Sequence, residues 1–324
     1  MKAVRIHEFG GADVLTVEEI ERPVPAPDEV LVRVYASSVN PVDWVIRNGA
    51  NEGIRSFLTL PMTLGCDGAG IVEEAGSDVT GFQKGDAVYG LANFFSNGTY
   101  AEYCAAKASQ FALKPQRLSF TEAAAVPLAA LTAWTGMYEY GKLESGQRIL
   151  ITGASGGVGS FAVQFARATG AYVIAVASAR NQDFLNELGA DAVIDYTTQP
   201  VDEWVQDVDV VLDASPLRDN KERVKLVNTL KEGGIFVSVN TDLPFTDEVL
   251  NALATRQATG ELAANQPRRE WLEQIARLID AGEVKVFISK VFPLDEVAQA
   301  HRESERWHTR GKLVLDVVKA DNEA

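Results

Sequence analysis

The 324 residues are 46% hydrophobic and 23% charged, the balance of a soluble globular chain with room for two domains and a substantial core. Acidic residues outnumber basic ones by 45 to 30, and the net charge of −15 argues against nucleic acid and acidic membrane surfaces as partners. No apolar stretch reaches the ~20 residues of a membrane span. The longest candidate, 123–134, is interrupted by Pro127, and the N-terminus lacks the apolar core of a signal peptide, so a cytoplasmic location is expected.

Residues 1 to about 118 alternate short β-type runs, such as Val30-Leu31-Val32-Arg33-Val34-Tyr35, with proline and glycine punctuation. This predicts a compact, partly open barrel of antiparallel strands. From about Ser119 the texture changes. The alanine-rich stretch 121–140 predicts a helix with Ser119 or Thr121 as its cap and Glu122 in its first turn. Residues 148–170 join a strand apolar on both faces (Ile149, Leu150, Ile151) to a glycine turn and an apolar helix that closes at Gly170. Apolar runs at 171–177, 192–194, 208–212 and 234–239, with helical stretches 183–188 and 221–231 between them, predict a parallel, doubly wound sheet. Near Gly260 the order changes again, to a helix at 268–280, a strand-like run at 284–292, a helix from Leu294 and a strand at 312–318. The closing residues 321–324 are expected to fray, and Cys66 and Cys104 read as free thiols.

Strand, glycine turn and helix in that order form the first half of a dinucleotide-binding unit. Ala154, Gly156 and Gly159 occupy the G-x-G-x-x-G frame with alanine in the first place. Gly156 lets backbone approach a pyrophosphate, Gly159 lets the helix pack close to the strand, and the helix dipole lies behind the first amides. The second strand ends in Ala177-Ser178-Ala179-Arg180, without the carboxylate that would accept from a ribose 2′-hydroxyl. Ser178 and Arg180 can instead donate to a 2′-phosphate, so NADP(H) is the expected cofactor.

Several spaced motifs carry a likeness. Pro61-x-x-x-Gly65-Cys66-Asp67-Gly68-Ala69-Gly70 is followed by Gly81-Phe82-Gln83-Lys84-Gly85-Asp86-x-Val88, by Gly98-Thr99-Tyr100-Ala101-Glu102-Tyr103 and then by the glycine turn. In that order they resemble the medium-chain dehydrogenase/reductase superfamily, and within it the zinc-independent quinone oxidoreductases that include zeta-crystallin, over nearly the whole chain. The resemblance implies an α/β fold: a GroES-like β-barrel catalytic domain of residues 1–118, completed by 262–324, and a Rossmann domain of residues 119–261 with a doubly wound parallel sheet. It also implies an active site in the cleft between them and, commonly, a homodimer.

Zinc members of the superfamily hold a catalytic metal with cysteine, histidine and cysteine. Here Asn40 stands at the first position, Cys66 at the second, and the third, around Ala129 and Ala130, has no ligand. The region 89–103 contains none of the four clustered cysteines of the structural site. No metal is therefore expected. Alcohol oxidation needs a Lewis acid to stabilise an alkoxide, whereas a quinone or an α,β-unsaturated carbonyl already accepts hydride. The expected reaction is direct hydride transfer from C4 of NADPH to such an acceptor, accelerated mainly by positioning.

Roles follow by position. Asn40 resembles the polar residue near nicotinamide or substrate, with a turn residue before Pro41 as the alternative. Thr132 resembles the threonine at the nicotinamide end, although it can also bond within its own helix. Ser155, Gly156, Gly157 and Val158 should hold the pyrophosphate, and Tyr196 resembles a tyrosine beside the adenosine phosphate. Ser215 and Ser238 end the fourth and fifth strands at the carboxyl edge, where a doubly wound sheet binds its ligand. Trp44, Phe94, Phe95 and Tyr100 are candidates for an apolar slot that takes a flat acceptor, and Asp43 and Arg47 for a structural ion pair. Two other functions remain open: a 2-enoyl-thioester reductase, for which no basic entrance is evident, and an NADPH-binding sensor or structural protein with little turnover.

Overall fold

The computed structural model describes residues 1–49 and 52–318; residues 321–324, expected to fray, lie outside the described residues. The chain divides into two units, Met1–Leu128 with Pro267–Ala324, and Ala129–Gln266.

In the first unit a seven-stranded sheet is organised on the long strand Glu29–Val39. Val30, Leu31, Val32 and Val34 are buried and Arg33 is exposed, while 36–39 are buried on both faces. It pairs antiparallel with Asp67–Ala75, Tyr103–Lys107 and the last strand, Lys312–Asp316. The Leu313–Val39 pairing brings Lys312 to the strand end that precedes Asn40. A smaller sheet joins Lys2–Ile6 to Thr16–Glu19 and Met62–Thr63. Val4, Ile6, Val39, Ile46, Phe292, Leu313 and Leu315 share one core, which ties both ends of the chain together.

Helix Pro41–Asn48 sits inside this β-rich region. Pro41 occupies its first turn, where a missing N–H costs nothing, and Gly49 closes it at φ +60°. The Asn40-Pro41 pair therefore starts a helix. The expected strand at 284–292 is confined to Ile288–Pro293, and the last strand ends at Asp316, two residues earlier than expected.

The second unit is a six-stranded parallel sheet in the order Ala192–Asp195, Tyr172–Ala177, Arg148–Thr152, Val208–Asp213, Leu230–Ser238, Thr259–Leu262. This is the doubly wound arrangement of a dinucleotide-binding sheet. The helix expected over 221–231 spans Asn220–Asn228, and the following strand starts at Leu230, with Lys231, Glu232 and Gly233 exposed. The short polar strand Thr259–Leu262 and the helix Asp247–Thr255, which buries Val249 and Leu253, add to the elements expected from sequence.

The middle unit, expected over 119–261, spans 129–266. The capped helix Phe120–Ala124 belongs to the first unit, where Phe120 stacks on Tyr35 at 4.7 Å and Leu128 N donates to Asp67 Oδ1 at 2.7 Å. Ser119 and Glu122 form its capping box. The single helix expected over 121–140 is broken before Pro127, then widens into a π-helical turn at Thr135–Tyr140. A Cβ on Gly136 within that turn would stand 2.8 Å from Leu212 Cδ1, so the backbone there packs close to the sheet.

Candidate functional site

The glycine turn of the second unit leaves backbone donors for a phosphate. Gly153 adopts φ +60°; a Cβ on it would stand 2.4 Å from the Ala214 carbonyl oxygen, and one on Gly159 would stand 2.3 Å from the Gly153 carbonyl oxygen. Turn and helix can close only because both residues are glycine. A Cβ on Gly156 would stand 3.3 Å from the Gly153 carbonyl oxygen, a tight contact but far less severe than those at Gly153 and Gly159. Gly156 caps helix Gly157–Thr169 without a side-chain bond, so the amides of Gly157, Val158 and Gly159 keep their donors for an anion.

Beside the turn, Asn181 Nδ2 donates to Ser155 Oγ at 3.1 Å and to Ser178 Oγ at 3.3 Å, linking the pyrophosphate and 2′-phosphate positions read from sequence. The Ala177–Asp195 pairing brings the turn at 178–180 and Tyr196 to the same end of the sheet, with Arg180 and Tyr196 both exposed. Asp195, a carboxylate that could repel a phosphate, turns into its own loop. Thr197 donates to it from Oγ1 at 2.8 Å and from N at 3.1 Å, and these bonds hold the carboxyl below its usual range.

At the ends of the fourth and fifth strands the two candidate serines differ. Ser215 is half-buried; its amide donates to Thr152 Oγ1 at 3.2 Å, and its carbonyl accepts from Asn240 Nδ2 at 2.8 Å. Ser238 is fully buried, donating to Asp213 Oδ2 and accepting from Arg223 Nη2, each at 2.8 Å. Arg223 and Asp213 form a buried ion pair. The expectation that the Ser238 side chain meets a cofactor is therefore corrected: its hydroxyl is spent inside this network. Thr132 Oγ1 accepts from Asn265 Nδ2 at 2.9 Å, so it does not bond only within its own helix.

In the first unit Asn40 joins a buried charged cluster. Its Nδ2 donates to Asp67 Oδ2 at 2.9 Å, and its Oδ1 accepts from Lys312 Nζ. Lys312 also pairs with Asp67 at 3.5 Å, and Ser38 Oγ donates to the same carboxylate at 2.6 Å. Because Lys312 can only donate and Asp67 accepts, the Asn40 amide is held in one orientation. The second Nδ2 proton meets Cys66 Sγ at 3.5 Å, an ordinary distance for sulfur, and lies at the long limit of 3.5 Å from Ser38 O. Asp67 and Lys312 carry no label in the sequence as site residues; the last strand's register assembles them with Asn40.

Asp43 and Arg47 are not an ion pair. Arg47 is bound to Glu305, Gly10 O and His301 Nδ1, whereas Asp43 accepts from Asn40 N at 2.8 Å and Tyr100 Oη at 3.0 Å. The residues Trp44, Phe94, Phe95 and Tyr100 do not form a single slot. Tyr100 is buried with its hydroxyl between Asp43 and His301, because a buried phenol needs polar partners. Trp44 donates to Ser304 Oγ and meets Trp307 edge-on. Phe94 and Phe95 adjoin one another and Phe95 adjoins Phe57, leaving Phe57 and Phe95 exposed. Both cysteines are free and buried.

Residues 26–116 match the alcohol dehydrogenase GroES-like domain, and residues 188–315 match the zinc-binding dehydrogenase family. The quinone oxidoreductase of Coxiella burnetii superposes with a TM-score of 0.90 at 34% identity, covering 98% of this chain and 99% of that one. The chain belongs to the quinone oxidoreductase family of medium-chain dehydrogenases/reductases. Two further members of the superfamily are similar over most of their length. The Escherichia coli quinone oxidoreductase, solved as a complex with NADPH, matches with a TM-score of 0.85 at 29% identity, covering 98% of this chain and 100% of that one. The 2-methylene-furan-3-one reductase of Solanum lycopersicum is 35% identical over 98% of this chain and 79% of its own.

The zinc in one matched family's name does not suit the residues present here. Asn40 turns an N–H rather than a lone pair toward Cys66, and the Lys312 ammonium already pairs with Asp67. Among the described residues no group of three or more His, Cys, Asp and Glu side chains is placed to hold a metal ion. No helix of the described residues is long and apolar enough to cross a membrane.

Proposed function

We propose that this quinone oxidoreductase family member is an NADPH-dependent reductase that delivers hydride to quinones or α,β-unsaturated carbonyls without a metal. The observation that carries the reading is the Asn40 cluster, in which a Lys312–Asp67 pair orients an amide N–H where a metal-dependent relative would need a ligand. The similarity to an NADPH-bound quinone oxidoreductase and to a furanone reductase supports the cofactor and the acceptor class.

In this reading the amides of Gly157, Val158 and Gly159, with Ser155 and the bare backbone of Gly156, take the pyrophosphate. Ser178, Arg180 and Tyr196 take the adenosine 2′-phosphate, and Ser215 lies at the carboxyl edge of the sheet. Thr132, which accepts from Asn265, keeps its own proton for the nicotinamide carboxamide. The bound cofactor supplies a hydride from C4. Asn40 donates its second amide proton to the acceptor carbonyl oxygen, where negative charge grows during transfer. Phe94 and Phe95 offer apolar surface to a flat acceptor. A homodimer belongs to the same reading; strand Thr259–Leu262 ends the sheet and, among the described residues, pairs on one side only.

The test is isotopic. With NADPH deuterated at both C4 positions and an enone acceptor, the product should carry one deuterium at the carbon β to the carbonyl. Product without deuterium would overturn direct hydride transfer.

A further inference from the structure

A row of hydrogen bonds in the first unit runs from Arg47 to Asp43, and its direction is fixed by chemistry. A guanidinium can only donate, so His301 Nδ1, 3.1 Å from Arg47 Nη1, must accept. The ring is then neutral with its proton on Nε2, which donates to Tyr100 Oη at 3.2 Å. Tyr100 in turn donates to Asp43 Oδ2 at 3.0 Å, and the Asn40 backbone N–H donates to the same oxygen at 2.8 Å. Both donors converge on Oδ2, so a proton on this carboxyl resides on Oδ1 without breaking either bond. Arg47 holds its protons at any ordinary pH, so the row cannot conduct a proton from the surface. Exchange is left to the small cavity that Asp43 lines with Thr63, Cys66, Asn93, Phe94 and Ser96.

We propose that Asp43 holds the proton that completes the reduction, and that Arg47, His301 and Tyr100 are positioning residues that fix where on its carboxyl that proton sits. The inference rests on the reductase reading above. In quinone reduction the hydride, with its electron pair, bonds the acceptor and leaves an oxyanion. The Asp43 proton neutralises that oxyanion through water, and the Asp43 carboxylate then regains a proton from solvent by way of the cavity.

The surroundings suit a proton held near neutrality. Burial, the largest influence, and the Asp67 carboxylate discourage the charged form of Asp43. The Asn40 backbone N–H, the Tyr100 hydroxyl and the Lys312 ammonium favour it, and the balance pushes its carboxyl up to about 7. Burial and Arg47 lower His301 to about 3, in keeping with a neutral ring. Cys66, also beside Asp43, keeps its proton. Glu305 pairs with Arg47 at the far end of the row.

The test is the pH profile of kcat for NADPH-dependent reduction of a benzoquinone by wild type, Asp43→Asn and Tyr100→Phe. Wild-type kcat should fall as pH rises through about 7. Tyr100→Phe removes a donor to the charged carboxyl and should move that limb alkaline by about one unit. Asp43→Asn should lose at least about tenfold in kcat and lose the limb. If Asp43→Asn does not fold, the Tyr100→Phe profile decides. Wild-type turnover with a limb unmoved in Tyr100→Phe, or kept in Asp43→Asn, removes this inference alone. No wild-type turnover of NADPH removes the reductase reading and this inference with it.

Discussion

Arg180 and Asp43 carry the sharpest expectations for single residues. Arg180 is exposed at the end of the second parallel strand, and charge-assisted bonds from it would reach only a cofactor bearing a 2′-phosphate. Arg180→Ala should weaken NADPH binding about tenfold to hundredfold and leave NADH nearly unchanged, as read by fluorescence titration. Equal losses for both cofactors would count against the assignment. Asp43 and His301 should shape stability in opposite directions. The Asp43 carboxyl, at about 7 folded against 3.8 unfolded, binds its proton more tightly in the folded state. Its contribution is complete below about pH 4 and is lost as pH rises through about 7. His301, at about 3 folded against 6.5 unfolded, contributes fully above about pH 6.5 and loses that contribution as pH falls toward 3. In urea unfolding, Asp43→Asn should lose less stability than wild type between about pH 5 and 8, and His301→Gln should lose less between about pH 6 and 4. Curves parallel to wild type would contradict the burial of these groups.

At the scale of elements, the contact between glycine turn and helix is the tightest feature of the nucleotide-binding unit. A Cβ at position 159 would stand 2.3 Å from the Gly153 carbonyl oxygen and 2.5 Å from Ala154 Cα, both backbone atoms that cannot rotate away. Gly159→Ala should therefore cost about 1–3 kcal/mol of stability and abolish measurable NADPH binding, as calorimetry would show. Unchanged binding would mean that the turn tolerates separation from the strand. Glycine at 159 was legible because strand, turn and helix are contiguous, and local pattern reports contiguous structure. Gly153, whose φ of +60° also shapes the turn, is not legible in the same way, since a glycine ending a strand looks like any other terminator. The helix Pro41–Asn48 was hidden by the β-type texture around it, and the break in 121–140 by an alanine content that favours helix on both sides of Pro127.

For the whole molecule, the sites that sequence reading missed are those assembled across the chain. Lys312 lies 272 residues from Asn40 and reaches it because the last strand pairs with Glu29–Val39. His301 lies 201 residues from Tyr100, which looked like part of an aromatic slot because nothing local announced its two polar partners. The motif spacing pointed to the family; the buried cation required the register of the final strand, and the His301–Tyr100–Asp43 row the placement of helix Val297–Ser304.

The measurement that tests the central claim most directly is steady-state oxidation of NADPH, and separately of NADH, by a benzoquinone, a naphthoquinone and a short 2-alkenal after prolonged chelator treatment. The account predicts turnover that prefers NADPH and survives chelation. NADPH binding without turnover of any acceptor, or activity that vanishes with the chelator and returns with zinc, would contradict it.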